Sequence, residues 1–424
     1  MSVAGECSTD GALSQVLIGS PASHTGRPLR LKHAAAAVVA ALVVAFSGCG
    51  GGEPAERSGP AERSSGKART GSSEPVLGTA TTPAVARPSP VRRSVDLTPA
   101  QLAGQHVVFS FQGTSPPPAL VQRIARGEAA GVVLFGRNIQ GADQLRGLVD
   151  QLQRIRRPKW GRAPLLVMID EEGGRISRTP GLRLPSARQI GSQGDPEAAQ
   201  RAGVSAASGL RSAGINVNLA PVADVAIEGS VIGEQERSYA GDPATVTRFA
   251  SAFAAGLSDG GVAATAKHFP GFGAATSNTD HRPVTISRDL ASLRRVEMRP
   301  FRALAEAGIP LVMVSTAVYP ALSSAPAALS RRVVTTELRD SVSFTGVTIT
   351  DDLETPATLP LGSPEVLAER AVAAGNDLLI FAKTFEAGER AATGLRAALE
   401  GGRVSKPATI EAVRRVLALR RTLG

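Results

Sequence analysis

From Thr98 onward the chain alternates short runs of apolar, often β-branched residues with longer stretches in which apolar positions recur every three or four residues. The runs predict strands at His106–Phe111, Gly131–Phe135, Leu165–Ile169, Ile215–Leu219, Val262–Ala266, Leu311–Ser315, Val347–Thr350 and Leu378–Phe381. The periodic stretches predict helices over Ala142–Arg156, Pro196–Ala213, Pro243–Leu257, Leu290–Ala307, Pro364–Ala374, Phe385–Leu399 and Pro407–Leu423. Most of the strands show no alternation of apolar and polar residues, the mark of a parallel sheet with both faces covered. Eight strands, most followed by a helical crossover, predict a (β/α)8 barrel over residues 97–424. A doubly wound open sheet is the alternative, but no G-x-G-x-x-G follows the first strand. Thr98-Pro99 reads as an N-cap with proline in the first helical turn, and marks where the domain opens.

The segment before Thr98 has a different pattern. Arg27, Arg30, Lys32 and His33 precede an uninterrupted apolar run from Ala34 to Phe46, too short for a bilayer core of about 30 Å and suited to a signal-peptide core. It leads into Phe46-Ser47-Gly48-Cys49, which resembles a bacterial lipoprotein processing box in which the thiol is lipidated. The alternative is a plain secretory signal with an incidental cysteine. Residues 1–49 are therefore expected to be a signal with a lipid attachment at Cys49. Residues 50–96, rich in Gly, Ser, Pro and Arg, bury too little to offset ordering entropy and are expected to be a disordered tether. Export and anchoring to the outer face of a bacterial membrane follow as expectations.

Composition changes this picture little. The chain is 42% hydrophobic, enough for a large core, and only 4% aromatic. The net charge of +10 raises nucleic acid as a partner, but residues 1–95 hold ten Lys/Arg against six Asp/Glu, so four of those charges lie outside the barrel. No basic stripe is interleaved with aromatics, and nucleic acid is not expected. The two cysteines, Cys7 and Cys49, both precede the barrel and exclude a disulfide framework there. Five histidines, none at ligand spacing, suggest no metal site, and no cofactor is expected.

Polar residues gather where the predicted strands end. Asp170-Glu171-Glu172-Gly173-Gly174-Arg175 follows the third, with Arg178 close behind, and Asp224 follows the fourth. The next loop carries Arg237-Ser238-Tyr239, Lys267-His268 closes the fifth strand, and Asp351-Asp352 closes the seventh. Parallel strands put all of these on one rim, where carboxylates and guanidiniums suit a polyhydroxylated ligand. Taken singly each has a plainer reading: Asp224 as a loop cap, Arg175 as a partner for Glu172, Asp351-Asp352 as a helix cap.

Together, Asp170-Glu171-Glu172-Gly173-Gly174-Arg175, Ala220-Pro221-Val222-Ala223-Asp224-Val225, Arg237-Ser238-Tyr239, Lys267-His268-Phe269-Pro270-Gly271 and Thr350-Asp351-Asp352-Leu353 resemble the β-N-acetylhexosaminidase branch of glycoside hydrolase family 3. The resemblance implies a (β/α)8 barrel, with no second domain, that removes terminal β-linked N-acetylglucosamine, the partner glycan being a cell-wall fragment. It implies Asp351 as nucleophile, kept ionised by Lys267 and the arginines. Asp170, Arg178, Arg237, Lys267 and His268, together with Asp224, would hold the sugar. A monomer is expected.

One motif departs from the family. That branch carries a second histidine in Lys-His-Phe-Pro-Gly-His-Gly, where Phe272 stands here, and its acid/base is a histidine two residues after an aspartate on the loop that follows. Here Asp280 and His281 are adjacent. His281 is a candidate acid/base with Asp280 as its dyad partner, and Asp280 itself is the alternative. Other readings are a β-glucosidase or xylosidase of the same family, a phosphorolytic relative, and a degenerate glycan-binding lipoprotein.

Overall fold

The computed structural model describes residues 96–424; the expected signal, Cys49 and nearly all of the tether lie outside the described residues. The strands are β1 (Val107–Phe109), β2 (Gly131–Val133), β3 (Leu166–Ile169), β4 (Val217–Asn218), β5 (Ala263–Phe269), β6 (Leu311–Val314), β7 (Val318–Tyr319), β8 (Ser323–Pro326), β9 (Val347–Asp352) and β10 (Leu378–Ile380). Eight of them close a parallel barrel in the order β1-β10-β9-β6-β5-β4-β3-β2, and β7 and β8 form a separate antiparallel hairpin. The architecture is the (β/α)8 barrel.

Continuous apolar strands make sense once the two faces are separated. Val108, Val133, Leu166, Met168, Val217, Leu311, Met313, Val347 and Ile349 pack inside the barrel. Their neighbours Val107, Val132, Val167, Ile169, Val312 and Val314 pack outward under the helices. Both layers are dry, so both positions of the two-residue repeat are apolar.

The N-terminus behaves as the sequence predicts. Thr98 caps the helix Pro99–Gly104 by accepting from Gln101 N at 3.2 Å, and the Gln101 side chain accepts from Thr98 N at 3.1 Å. The predicted helix Leu290–Ala307 is not continuous: a wide turn at Leu293–Glu297 separates Leu290–Ser292 from Arg299–Glu306. Pro300 has no N–H to donate and its ring crowds the preceding turn, so a regular helix cannot run through. Pro118–Arg126 and Arg332–Ser341 were not expected from the pattern, nor were the short helices Ala187–Ser192 and Val231–Glu234.

The helix Lys406–Thr422 lies across the barrel end that the strands enter, where Val416 and Leu419 join the inner core. Arg420, fully buried on it, donates to Gly161 O at 3.0 Å, Ala163 O at 2.7 Å, Pro164 O at 2.8 Å and Gln105 Oε1 at 3.0 Å. This leaves the opposite rim, at the strand C-termini, open.

Candidate active site

Two strands run further than the pattern predicts, and both extensions carry chemistry. β5 continues through Lys267 and His268 to Phe269, and β9 continues through Asp351 to Asp352. Each contains one extra residue relative to its neighbour. Ala266 pairs with Val312 and Phe269 with Val314, while Ile349 pairs with Leu378 and Asp352 with Ile380. An extra residue breaks strict alternation. Ala266 and Phe269 therefore both face the helices, and Lys267 and His268 between them both face the cavity. Leu353 likewise turns outward after Asp351 and Asp352 have both turned in.

The cavity they line is about 440 Å³, open at the strand C-terminal rim, and includes Asp170, Glu172, Arg178, Arg237, Asn278, Asp280 and Arg137 in its wall. A larger groove of about 710 Å³ lies at the other end of the barrel, among Val262, Pro310, Val347 and Leu419. Of its two charged lining residues, Arg415 is occupied by Asp377 at 2.8 Å and Asp259 accepts from Gln200 Nε2 at 3.0 Å, and the groove gathers no comparable polar set.

One wall of the rim cavity is a network of opposite charges. Lys267 Nζ lies 2.6 Å from both Asp170 Oδ1 and Glu172 Oε1. Arg237 donates through Nε and Nη2 to the two Glu172 oxygens at 2.8 and 2.9 Å. Arg178 Nε is 3.7 Å from Asp170 Oδ2. Burial alone would raise the Glu172 carboxyl, but Arg237 and Lys267 overcome it and hold it well below its usual range. Burial opposes ionisation of Asp170 as well, and Lys267 and Arg178 again prevail. For Lys267, burial would release the proton, but Asp170 and Glu172 keep it on and raise its pKa. The set is thus held charged, with donors and acceptors fixed before any ligand arrives.

The loop that presents Arg178 is folded around Glu171, which accepts from Arg178 N at 2.9 Å and Thr179 N at 2.8 Å. Asn218 at the end of β4 ties that residue's backbone down, accepting from Glu171 N at 3.0 Å and donating to Glu171 O at 2.9 Å.

Three expectations need correcting. Asp224 does not line the cavity. It is 0% exposed and sits behind His268, accepting from His268 N at 3.0 Å and Phe272 N at 2.7 Å, with His268 Nδ1 at 2.8 Å. It positions the imidazole and the turn, because a buried carboxylate between two backbone donors has nothing left to offer a ligand. Arg175 does not pair with Glu172, whose oxygens are taken by Arg237 and Lys267; Arg175 is exposed on the cavity rim. Asp351 is not driven toward ionisation. Burial raises its pKa and Asp280 adds to the rise, while His268 and Lys267 only partly offset them. Lys267 is spent on its own two carboxylates.

The loop after β5 separates the two acid/base candidates. Both side chains are exposed, but Asp280 lines the cavity and His281 lies outside its wall. The Asp280 carboxylate accepts from Asn278 Nδ2 at 3.0 Å, and Asp280 N donates to Asn278 Oδ1 at 3.1 Å. Asp280 thus has Asn278, two residues earlier, as its orienting partner, and not its neighbour His281. Sequence reasoning put Glu172 on the rim without giving it a role, and did not single out Asn278. The i, i+2 spacing on this loop was the available signal for Asn278. Among the described residues no group of three or more His, Cys, Asp or Glu side chains is arranged to hold a metal ion.

Comparison with known proteins agrees with this geometry. A secreted glycosyl hydrolase of Arthroderma benhamiae, itself uncharacterized, is 37% identical over 76% of this chain and 93% of its own length. The glycoside hydrolase family 3 β-N-acetylglucosaminidase of Paenibacillus sp. FPU-7 superposes with a TM-score of 0.72 at 35% identity, over 77% of this chain and 63% of that one. The β-N-acetylhexosaminidase of Beutenbergia cavernae gives a TM-score of 0.71 at 31% identity, over 77% of this chain and 99% of its own. The glycosyl hydrolase family 3 N-terminal domain matches residues 100–419, and the chain belongs to that family of glycoside hydrolases.

Proposed function

We propose that the chain is an exo-acting, retaining β-N-acetylglucosaminidase that removes terminal N-acetylglucosamine from peptidoglycan fragments, with Asp351 as the nucleophile. The observation that carries this reading is the bulged end of β9. It turns Asp351 into a cavity whose facing wall is the fixed Lys267–Asp170–Glu172–Arg237 set. Such a wall matches the hydroxyls of one sugar ring, and similarity to the Paenibacillus and Beutenbergia enzymes supports an N-acetylated ring.

Retention requires Asp351 to attack the anomeric carbon while an acid protonates the departing oxygen; the same group then deprotonates the water that cleaves the glycosyl-enzyme. The position of Asp280 in the cavity wall, steadied by Asn278, favours Asp280 over His281 for that second role. Asp170, Arg178, Arg237, Lys267 and His268 hold the ring, and Asp224 aims His268. The expected route to substrate is export, lipid attachment at Cys49 and a tether over residues 50–96, with the enzyme acting as a monomer; this part of the reading is supported by the sequence pattern.

Release of nitrophenol from the β-N-acetylglucosaminide at a rate far above that from the β-glucoside tests the reading. Asp351→Asn should retain fold and sugar binding and lose about 10³-fold or more in turnover. A 2-fluoro or 5-fluoro sugar should label Asp351, and labelling of Asp352 or Glu172 instead would overturn the assignment.

A further inference from the structure

The active-site cavity is lined by six Lys or Arg side chains and five Asp or Glu, and the two signs are not evenly spread. Lys267, Arg237 and Arg178 share the carboxylates of Asp170 and Glu172. Arg137, Arg175 and Lys383 line the same cavity, and among the described residues none of them has a carboxylate oxygen within 4.0 Å. Arg137 is nevertheless fixed in place. It donates to Ser110 Oγ at 2.6 Å, to Phe111 O at 3.3 Å and to Ala382 O, and its guanidinium lies 4.5 Å from the Phe135 ring centre. All of these partners are neutral. Arg178 stands 5.8 Å from the same ring, so a second guanidinium crowds the first.

Two carboxylates act on Arg137 from this side: Glu354, whose oxygens accept from Lys383 N, Thr384 N and Thr384 Oγ1, and Asp352, which lines the cavity. Asp352 Oδ1 is taken by Glu354 N at 2.9 Å and Ala382 N at 3.0 Å. The three cations stand on the loops after β2, β3 and β10, strands that with β1 form one continuous arc of the barrel. Asn278 and Asp280 come from the loop after β5, outside that arc.

Like charges concentrated in a cleft with low-dielectric walls repel one another and focus a positive potential into it, a cost offset when an anion binds. We propose that Arg137, Arg175 and Lys383 form an oxyanion subsite of this active site, taking an acidic group that arrives on the aglycone or as free phosphate. The inference rests on the glycosidase reading and adds to it a charge preference for what lies next to the cleaved sugar. All three are exposed; Arg137, held by Ser110, Phe111 and Ala382, supplies the preorganised donor, and Arg175 and Lys383 supply adjustable ones.

The test compares β-N-acetylglucosaminyl-(1→4)-N-acetylmuramic acid with its methyl ester, which share a leaving group and differ only in charge. The wild-type enzyme should favour the acid by about tenfold or more in kcat/KM, a preference that shrinks with added salt. Arg175→Glu and Lys383→Glu, both at exposed positions, should each cut the acid-to-ester ratio by about tenfold. A second arm adds inorganic phosphate with the ester as substrate. If free phosphate is the ligand, its oxygen bonds to the anomeric carbon as the bond to Asp351 breaks, and N-acetylglucosamine 1-phosphate accumulates, less so in the two variants. Either a charge-dependent ratio or a variant-sensitive phosphate product supports the subsite and identifies the source of its anion. Turnover of acid and ester at equal rates, with no phosphate product and no response to either reversal, overturns the subsite alone. No turnover of either sugar overturns the glycosidase reading and the subsite with it.

Discussion

At the scale of single residues, the site is governed by which carboxylates are paid in counter-charge and which are not. Glu172 and Asp170 are held ionised by cations in contact with them; half-buried Asp351 and buried Asp352 lose solvation with little to offset it. Burial pushes the Asp352 carboxyl up to about 7, with Glu354 and Asp351 adding to the rise against two backbone donors. Between roughly pH 4 and pH 7 the unfolded chain has released this proton and the folded one retains it. Stability from this group is therefore full below about pH 4 and lost as pH rises through about 7. Asp352→Asn can still accept from Glu354 N and Ala382 N, so it should raise the thermal midpoint at pH 8 by on the order of a few degrees and leave it unchanged at pH 4. Unfolding followed by circular dichroism at both pH values decides this, and an equal shift at both would show that the carboxyl does not titrate in that range.

The acid/base belongs to the same scale. Loss of a general acid harms substrates with poor leaving groups far more than activated aryl glycosides, which depart without a proton, and the difference spans about 10²–10⁴-fold. Asp280→Ala should cripple cleavage of a disaccharide, spare the glycosylation step of a dinitrophenyl glycoside, and gain turnover with azide. Asn278→Ala should be milder and keep the same pattern. If the azide rescue follows His281→Ala and not Asp280→Ala, the role passes to His281.

At the scale of elements, the barrel was legible because each barrel strand is a short apolar run and most crossovers have a helical period of their own. The site was legible to the extent that strand ends could be counted. Lys267, His268 and Asp351 were placed on the right rim because parallel strands share a direction. The extra residue in β5 and in β9 was not legible, since Ala263-Ala264-Thr265-Ala266 and Val347-Thr348-Ile349-Thr350 give no signal of a bulge ahead. Nor could composition separate Asp224 from Asp170, because burial behind a histidine is set by the path of the β4 loop across β5. That path is also why Gly273 is a glycine. A Cβ there would stand 1.9 Å from Val225 O and 2.4 Å from Val225 C, and backbone cannot rotate away. Gly273→Ala should cost about 1–3 kcal/mol through this overlap. It should also displace the loop bearing Asn278 and Asp280, so that disaccharide turnover falls more than dinitrophenyl glycoside turnover. Gly147→Ala, in a helix with nothing within 4 Å of the new Cβ, is the control and should be neutral or stabilising. Equal thermal midpoints for the two variants would show that the close approach is not felt.

At the scale of the whole chain, two kinds of sequence are joined. Residues 96–424 form a barrel with one open, charged rim, and the preceding pattern carries a basic start, an apolar run and Cys49. No helix among the described residues is long and apolar enough to cross a membrane. We propose the N-terminal segment as the attachment: its apolar run Ala34–Phe46 is too short to span, and Cys49 follows it. One acyl chain gives marginal binding and two give a stable anchor, so a diacylated and further acylated Cys49 would hold the enzyme at the surface without any contact from the barrel. In a bacterial host that lipidates exported proteins, the full chain should partition into the detergent phase of a Triton X-114 extraction. Cys49→Ala should move it to the aqueous phase or leave it unprocessed, with specific activity of the soluble fraction unchanged. Limited proteolysis within residues 50–95 should release a fully active fragment from membranes. Detergent partitioning that survives Cys49→Ala would mean that another part of the chain meets the lipid, and the anchor would have to be sought there.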